Sequence, residues 1–323
     1  MKSVGKPWIS IAIPSYNRAD LLLRTVQSVQ NQADQGWEMF IVDDRSTDSA
    51  WHVAQMVSHQ DSRIHCEQNR ENRGLSKNFR YASSKGSAPY LLLLAADDQL
   101  EFDFLQRIRQ FVTEHEGIPA LICGRRVLYY PRYNRYVPYA TPFADVYSPG
   151  QTVSRALANG NLYGLYSSVV VKRIALNEIE GIPTDNPWAG DYETFVRIAA
   201  RHFVAFVPQA RVYQHADTTT QTSKFLLSGE LVNYEIMTLQ RLLCDLRVAQ
   251  HLRPNDIRNA WRRIHALKWS VGLYRVAHGQ WRRRDLHLPA AALPNKMIEA
   301  SCSVGEIVTT MIRLIYQRWR LTY

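Results

Sequence analysis

Asp43-Asp44, Asp97-Asp98 and Asp191 attract attention because each falls at the edge of an apolar or helix-spaced run. A carboxylate pair at the end of a strand can grip a hard divalent cation, an ion well suited to neutralising charge that builds on a phosphate leaving group. A single carboxylate can take a proton from an attacking hydroxyl, and the imidazole of His215 can join oxygen ligands around a transition metal. Plainer roles stay open for all of them. Asp44, Asp48, the Asp97-Asp98 pair and Asp191 can cap the helices that follow, and His215 can be a surface side chain at a strand end.

The elements that would position these groups are legible in the first hundred residues, where strand and helix signals alternate. Trp8 to Ile13 reads as a buried strand stopped by Pro14, and Leu21, Leu22, Val26 and Val29 recur at helical spacing behind Asp20, an expected N-cap. Trp37 to Val42 is a second strand, Thr47 to Val57 a helix, Ile64 to Glu67 a third strand and Leu75 to Ser84 a helix with Leu75, Phe79 and Ala82 on one face. Tyr90 to Ala96 reads as a central strand closed by Asp97-Asp98. Such alternation implies an α/β fold with a mostly parallel sheet, and ligands of open α/β sheets gather beyond the carboxyl ends of the strands, where these acids emerge. Leu121 to Tyr147 is richer in Tyr, Arg and Pro and reads as irregular and partly antiparallel. Asp191 to Arg201 is helical, Val204 to Val207 returns to strand, and the chain is helical from about residue 225.

Bulk properties exclude several classes. Hydrophobic residues at 46% and charged residues at 21% describe a globular chain rather than a disordered one. The net charge of +10 is unevenly spread: residues 1–250 are within one charge of neutral, and residues 251–323 carry 13 basic against 4 acidic side chains. A basic tail suits an anionic surface, whereas the near-neutral remainder argues against dedication to nucleic acid. Cys66, Cys123, Cys244 and Cys302 are dispersed, so neither a zinc site nor a disulfide framework is expected. The run from Met1 to Pro7 leads directly into a strand and no apolar stretch exceeds Leu91 to Ala96, so neither export nor a membrane span is expected, and the location expected is cytoplasmic.

Four blocks in order carry a more specific signal: Ile13-Pro14-Ser15-Tyr16-Asn17-Arg18, Ile41-Val42-Asp43-Asp44-Arg45-Ser46-Thr47-Asp48, Asn72-Arg73-Gly74-Leu75-Ser76 and Leu94-Ala95-Ala96-Asp97-Asp98. Their order and spacing resemble the family 2 glycosyltransferases, with Gly190-Asp191-Tyr192-Glu193 as a fifth block. The resemblance implies a GT-A (Rossmann-like) fold, a nucleoside-diphosphate sugar donor with UDP or dTDP favoured, and Mg2+ or Mn2+ at the diphosphate. It implies inverting transfer to a hydroxyl of a glycan or lipid-linked acceptor in envelope polysaccharide synthesis. Position by position, Pro14, Ser15, Tyr16 and Arg18 would lie along the nucleoside, Asp44 would accept from the base, and Asp97 would touch ribose. Asp98 would hold the metal, with His215 beside it, and Asp191 would be the catalytic base, with Glu193 in reserve. Lys77, or Arg73, would approach the nucleotide. Ala95 and Gly190 replace acids that many relatives carry, which keeps open a non-catalytic nucleotide-sugar binder. A sugar-phosphate nucleotidyltransferase is the other alternative, although no Gly-rich phosphate loop follows the first strand.

The organisation expected is a glycosyltransferase domain over 1–224, its nucleotide-binding half in 1–100 and its acceptor-binding half in 101–224, followed by a helical, basic region over 225–323. The stretch Tyr129 to Tyr139 can stack an acceptor sugar or serve as packing. Thr218 to Lys224 reads as a loop able to close over the donor. In the last helix Val304, Ile307, Val308, Met311, Ile315 and Trp319 form an apolar stripe with Arg313 and Arg320 opposite, fit for an anionic membrane surface or for packing on protein, including a homo-oligomer.

Overall fold

The computed structural model describes residues 6–130, 135–138, 146–215 and 230–277. They divide into two compact units: 6–152 with 161–215 form the first, and 153–160 with 230–277 the second. The elements run β1 Ile9–Ser15, α1 Ala19–Gln30, β2 Trp37–Asp43, α2 Ala50–Gln60, β3 Ile64–Gln68, α3 Leu75–Ser83, β4 Tyr90–Leu93, β5 Asp98–Leu100, α4 Phe104–Glu114, β6 Leu121–Tyr130, β7 Arg135–Pro138, β8 Val146–Tyr147, α5 Val153–Asn159, β9 Val169–Lys172, α6 Arg173–Glu178, α7 Gly190–Ala199 and β10 Val204–His215.

Among the described residues ten strands make one sheet, in the order β3-β2-β1-β4-β9-β6-β10-β5, with β7 beside β6 and β8 beside β10. β1 runs parallel to β2 and β4, β2 to β3, and β6 to β10, while β9 joins β4 and β6 antiparallel, so β1, β2, β3, β4, β6 and β10 share one direction. Strands covered on both faces read as unbroken apolar runs, and all seven residues of β1 are buried. Ile11, Ile13, Met39, Ile41, Leu92, Phe104, Ile122, Val170 and Val212 belong to one core that α1, α2 and α4 close with Leu22, Val26, Ala54, Leu105 and Ile108. Each large apolar side chain sealed there contributes about 2 kcal/mol of transfer free energy.

One irregularity prepares the site. The pairing of β10 with β6 jumps between Val207 and Arg211, after which Arg211 to His215 align with Arg125 to Tyr129. The bulge brings the Ala210 carbonyl oxygen so near that a Cβ on Gly124 would lie 2.7 Å from it and 2.9 Å from the Phe104 ring, so glycine is required there.

Several sequence expectations are corrected. Pro14 does not stop β1: the strand continues to Ser15 because β4 pairs only as far as Ala12, leaving Pro14 one neighbouring strand instead of two. Asp20 is not the N-cap of α1; it lies in the first turn, and the Ala19 amide is taken by Asp48 Oδ2 from the next loop at 3.0 Å. The central strand ends at Leu93, and Asp98 opens the short β5, antiparallel to β10, instead of closing β4. Leu75 is 40% exposed, so the buried face of α3 is made by Ser76, Asn78, Ala82 and Ser83. Strand β10 extends eight residues past Val207, to His215. The expectations for Thr218 to Lys224 and for residues 304–320 lie outside the described residues.

In the second unit, helices Glu230–Cys244, Leu246–Ala249 and Pro254–Ala277 assemble with α5. Leu157, Leu239, Leu242, Ala260 and Ile264 are buried within it. Arg263 donates to the Ala156 and Leu157 carbonyls at 3.3 and 2.8 Å, satisfying the C-terminal turn of α5, and pairs with Glu235. Asp245 caps the Leu246–Ala249 helix through the Arg247 amide at 2.9 Å.

Candidate active site

The loops leaving β1 and β2 are stitched by side chains. Asp43 accepts from the Ser46 amide at 3.0 Å and from Gln68 Nε2 at 2.9 Å, while Ser46 Oγ accepts from the Asn17 amide at 3.0 Å and Asn17 Oδ1 from the Thr47 amide at 2.8 Å. Asp48 Oδ1 accepts from the Ala50 amide at 2.9 Å, so this carboxylate serves the starts of both α1 and α2. Asn17 and Arg45 hold φ of 51° and 63°, a left-handed backbone that for a non-glycine residue persists only where surroundings enforce it.

Asp44 is 2% exposed and does not cap α2, the helix that follows it along the chain. Its Oδ1 accepts from Asn69 Nδ2 and the Arg73 amide, each at 2.8 Å, and its Oδ2 from the Gly74 amide at 2.9 Å. Gly74 has φ 80°, the glycine-favouring region, which turns its N–H onto the carboxylate and starts α3. A carboxylate oxygen has two acceptor positions, so Oδ1 is filled and Oδ2 keeps one for a further N–H donor.

Pro14 and Ser15 close β1, and Ser15 Oγ is buried without a hydrogen-bond partner. Tyr16 is 41% exposed, and Arg18 reaches across so that its Nε lies 3.6 Å from Asp97 Oδ2. Lys77 is exposed on α3, in the helix Asp44 anchors, while Arg73 lies over the Tyr81 ring at 4.1 Å.

The two acids of the pair act on each other but have different further partners. Asp97 is pushed upward in pKa by burial, against the pull of Arg18 and His215. Asp98 is 2% exposed, and its pKa is pushed up to about 8 by burial and by the Asp97 charge, with the Ser167 hydroxyl and Arg126 opposing. Ser167 also accepts from the Ala95 amide at 3.0 Å, which ties the turn before the pair to the segment ahead of β9. His215 is 8% exposed, edge-on to Tyr129 at 5.2 Å, with its Nε2 3.5 Å from Gln99 Nε2.

Asp191 stands in the first turn of α7, behind the N-cap residue Ala189, so it is not the N-cap. Its Oδ1 accepts from the Tyr192 amide at 2.7 Å, and burial lifts its pKa to about 7, with that amide and Arg126 opposing. Glu193 Oε2 accepts from Asn186 Nδ2 at 2.9 Å. Arg126 and Tyr166 were not among the sequence candidates. Arg126 acts electrostatically on both Asp98 and Asp191, residues 93 positions apart, so a single guanidinium joins the acidic pair to the helix start. The signal for it was an Arg-Arg step inside the apolar strand Leu121–Tyr130. Tyr166 bonds Thr194 at 3.2 Å and is raised in pKa by burial and by Asp191.

Among the described residues no group of three His, Cys, Asp or Glu side chains is close enough to enclose a metal by itself. The donor set nevertheless fits a divalent cation. Asp98 Oδ1 is buried with no hydrogen-bond partner, a second carboxylate adjoins it, and an imidazole bears on that second carboxylate. Mg2+ and Mn2+ sites of this kind take one or two carboxylates and draw further oxygens from substrate phosphates and water.

Comparison with known proteins identifies the family and the fold. Residues 10–172 match the family described as glycosyl transferase family 2. The chain is 37% identical over 109 residues to TuaG of Bacillus subtilis (strain 168), a protein named for teichuronic acid biosynthesis, covering 34% of this chain and 43% of that one. It is 33% identical over 90 residues to the Escherichia coli UDP-Glc:alpha-D-GlcNAc-diphosphoundecaprenol beta-1,3-glucosyltransferase WfaP, covering 28% of this chain and 35% of WfaP. These matches span less than half the length of either relative. Among solved structures, mannosyltransferase PcManGT from Pyrobaculum calidifontis, in complex with GDP-Man and Mn2+, superposes with a TM-score of 0.61 at 15% identity, over 98% of this chain and 85% of that one. The fold is the mixed α/β fold of GT-A glycosyltransferases, and the chain belongs to glycosyl transferase family 2. No helix among the described residues is long and apolar enough to cross a membrane.

Proposed function

We propose that this chain transfers a sugar, with inversion, from a nucleoside-diphosphate donor to a hydroxyl of a glycan carried on a lipid, and that Asp191 is the general base. The observation that carries the proposal is a buried carboxyl at the start of α7 with its pKa lifted to about 7, under the influence of the same guanidinium that acts on the acidic pair. A base poised near neutrality combines a usable ionised fraction with real proton affinity. Asp191 takes the acceptor O–H proton as that oxygen forms its bond to the anomeric carbon. The bond from that carbon to the diphosphate oxygen breaks on the opposite face, and the electron pair leaves with the nucleoside diphosphate.

A divalent cation, when bound, would neutralise charge on the departing diphosphate. Asp98 and His215 are the residues that would hold it, with Asp97 at the ribose. Pro14, Ser15, Tyr16 and Arg18 line the nucleoside, and the remaining acceptor position on Asp44 Oδ2 receives one N–H of the base, the N3–H in the case of the UDP or dTDP that the sequence resemblance favours. Lys77 lies beyond them on α3. The acceptor class is supported by the diphosphoundecaprenol in the name of WfaP, and the basic region after residue 250 would hold the protein against the anionic leaflet that carries such a lipid. The test is release of nucleoside diphosphate from a panel of nucleotide sugars with Mn2+. Asp191→Asn is expected to keep nucleotide-dependent thermal stabilisation and to lose turnover, and full turnover by that variant refutes the assignment.

A further inference from the structure

Alternate residues of β10 face opposite sides of the sheet. Ala210 and Val212 turn into the core with Phe104 and Ile108, so Arg211, Tyr213 and His215 turn the other way. The same side receives Tyr129, aligned with His215, and Tyr136, aligned with Tyr129 from β7. Their rings touch in sequence. Tyr136 stacks on Tyr129 with centroids 4.7 Å apart and planes 23° apart, meets Tyr213 edge-on at 5.5 Å, and Tyr129 meets His215 edge-on at 5.2 Å. Tyr136 is nevertheless 54% exposed, although two aromatic neighbours fix its ring. The margin carries short-range hydrogen-bonding groups: Glu101 accepts from Tyr213 Oη at 3.0 Å and from Arg211 Nη1 at 3.2 Å, and Gln99 pairs with Tyr213 across β5.

Resting on the glycosyltransferase assignment above, we infer that this aromatic face seats a neutral pyranose ring of the acceptor glycan, with Tyr136 as the stacking surface. Three features select that occupant. The Arg211 charge is paired with Glu101, so this guanidinium does not by itself favour an anionic ligand over a neutral one. A ring held rigid by its neighbours presents a flat apolar face to the axial C–H bonds of a sugar at little entropic cost. The face is continuous with His215, which bears on Asp97.

Saturation-transfer NMR tests the seat, with methyl glycosides of glucose, galactose and N-acetylglucosamine, both anomers, as the probes. Irradiation of aromatic protons in the full chain is expected to saturate the C–H protons of one ring face in at least one glycoside. Tyr136→Ala and Tyr136→Thr, the second keeping strand propensity, should weaken binding about tenfold, the size of one lost stacking contact, while Tyr136→Phe retains it. Absence of saturation with every glycoside, or equal saturation in wild type and both truncated variants, overturns the inference. Nucleoside diphosphate release by the wild type reports separately. Release without glycoside binding removes the aromatic seat and keeps the transferase assignment, whereas Tyr136-dependent glycoside binding without release from any donor removes the assignment and keeps a sugar site.

Discussion

Varying pH across neutrality titrates the one group on which the proposed chemistry depends. With a pKa of about 7, Asp191 is ionised in about one molecule in ten at pH 6 and about nine in ten at pH 8. General-base catalysis needs the ionised form, so the rate at limiting acceptor should rise about tenfold between those values and level off above them. Arg126 holds the Asp191 pKa below where burial alone would put it. Arg126→Gln should therefore move the midpoint to higher pH, lowering the rate most near pH 7 and least at the alkaline end. The assay is initial-rate release of nucleoside diphosphate at fixed donor and Mn2+, with nucleotide-dependent thermal shift at each pH to verify that donor binding is retained. A flat wild-type profile from pH 6 to 8, or a midpoint that moves to lower pH in Arg126→Gln, refutes the reasoning.

Burial of Asp191 also makes a statement about stability. Its folded-state pKa lies above the ordinary value of 3.8, so the stabilisation from its neutral form is complete below that value and is lost as pH rises through about 7. Asp191→Asn should gain stability relative to wild type between pH 4 and pH 8, by on the order of 4 kcal/mol, read as a growing difference in Tm; a constant difference contradicts it. Asp98→Asn should abolish Mn2+-dependent stabilisation of the nucleotide complex, and titration calorimetry finding unchanged Mn2+ affinity would remove Asp98 from the cation site. Gly74→Ala puts a residue with a Cβ at φ 80°, where that Cβ would meet nothing within 4 Å, so the backbone conformation alone is strained, and it should cost about 1–2 kcal/mol in denaturant unfolding. Sedimentation with anionic vesicles should exceed that with neutral ones if residues 251–323, net +9, carry the protein to a membrane surface; equal sedimentation excludes it.

Local pattern along the chain carries the alternation of the first hundred residues and the acids near the strand ends. Strands covered on both faces need continuous apolar runs, and a parallel sheet delivers its loops to one edge, so Ser15, Asp43-Asp44 and Asp97-Asp98 were legible from local pattern alone. The tertiary structure decided how those acids are used. Asp44 spends three of its four acceptor positions on Asn69, Arg73 and Gly74, because the register of β2 with β3 brings that turn beneath it. Arg126 of β6 is set beside Val212 of β10 by the register that follows the bulge, and Tyr136 meets Tyr129 through antiparallel pairing. Hydrogen-bond register and burial are properties of chain segments that meet across long sequence separations. No window of residues read along the chain contains them, and desolvation, which lifts Asp191 to near neutrality, exists only once the surrounding segments have closed.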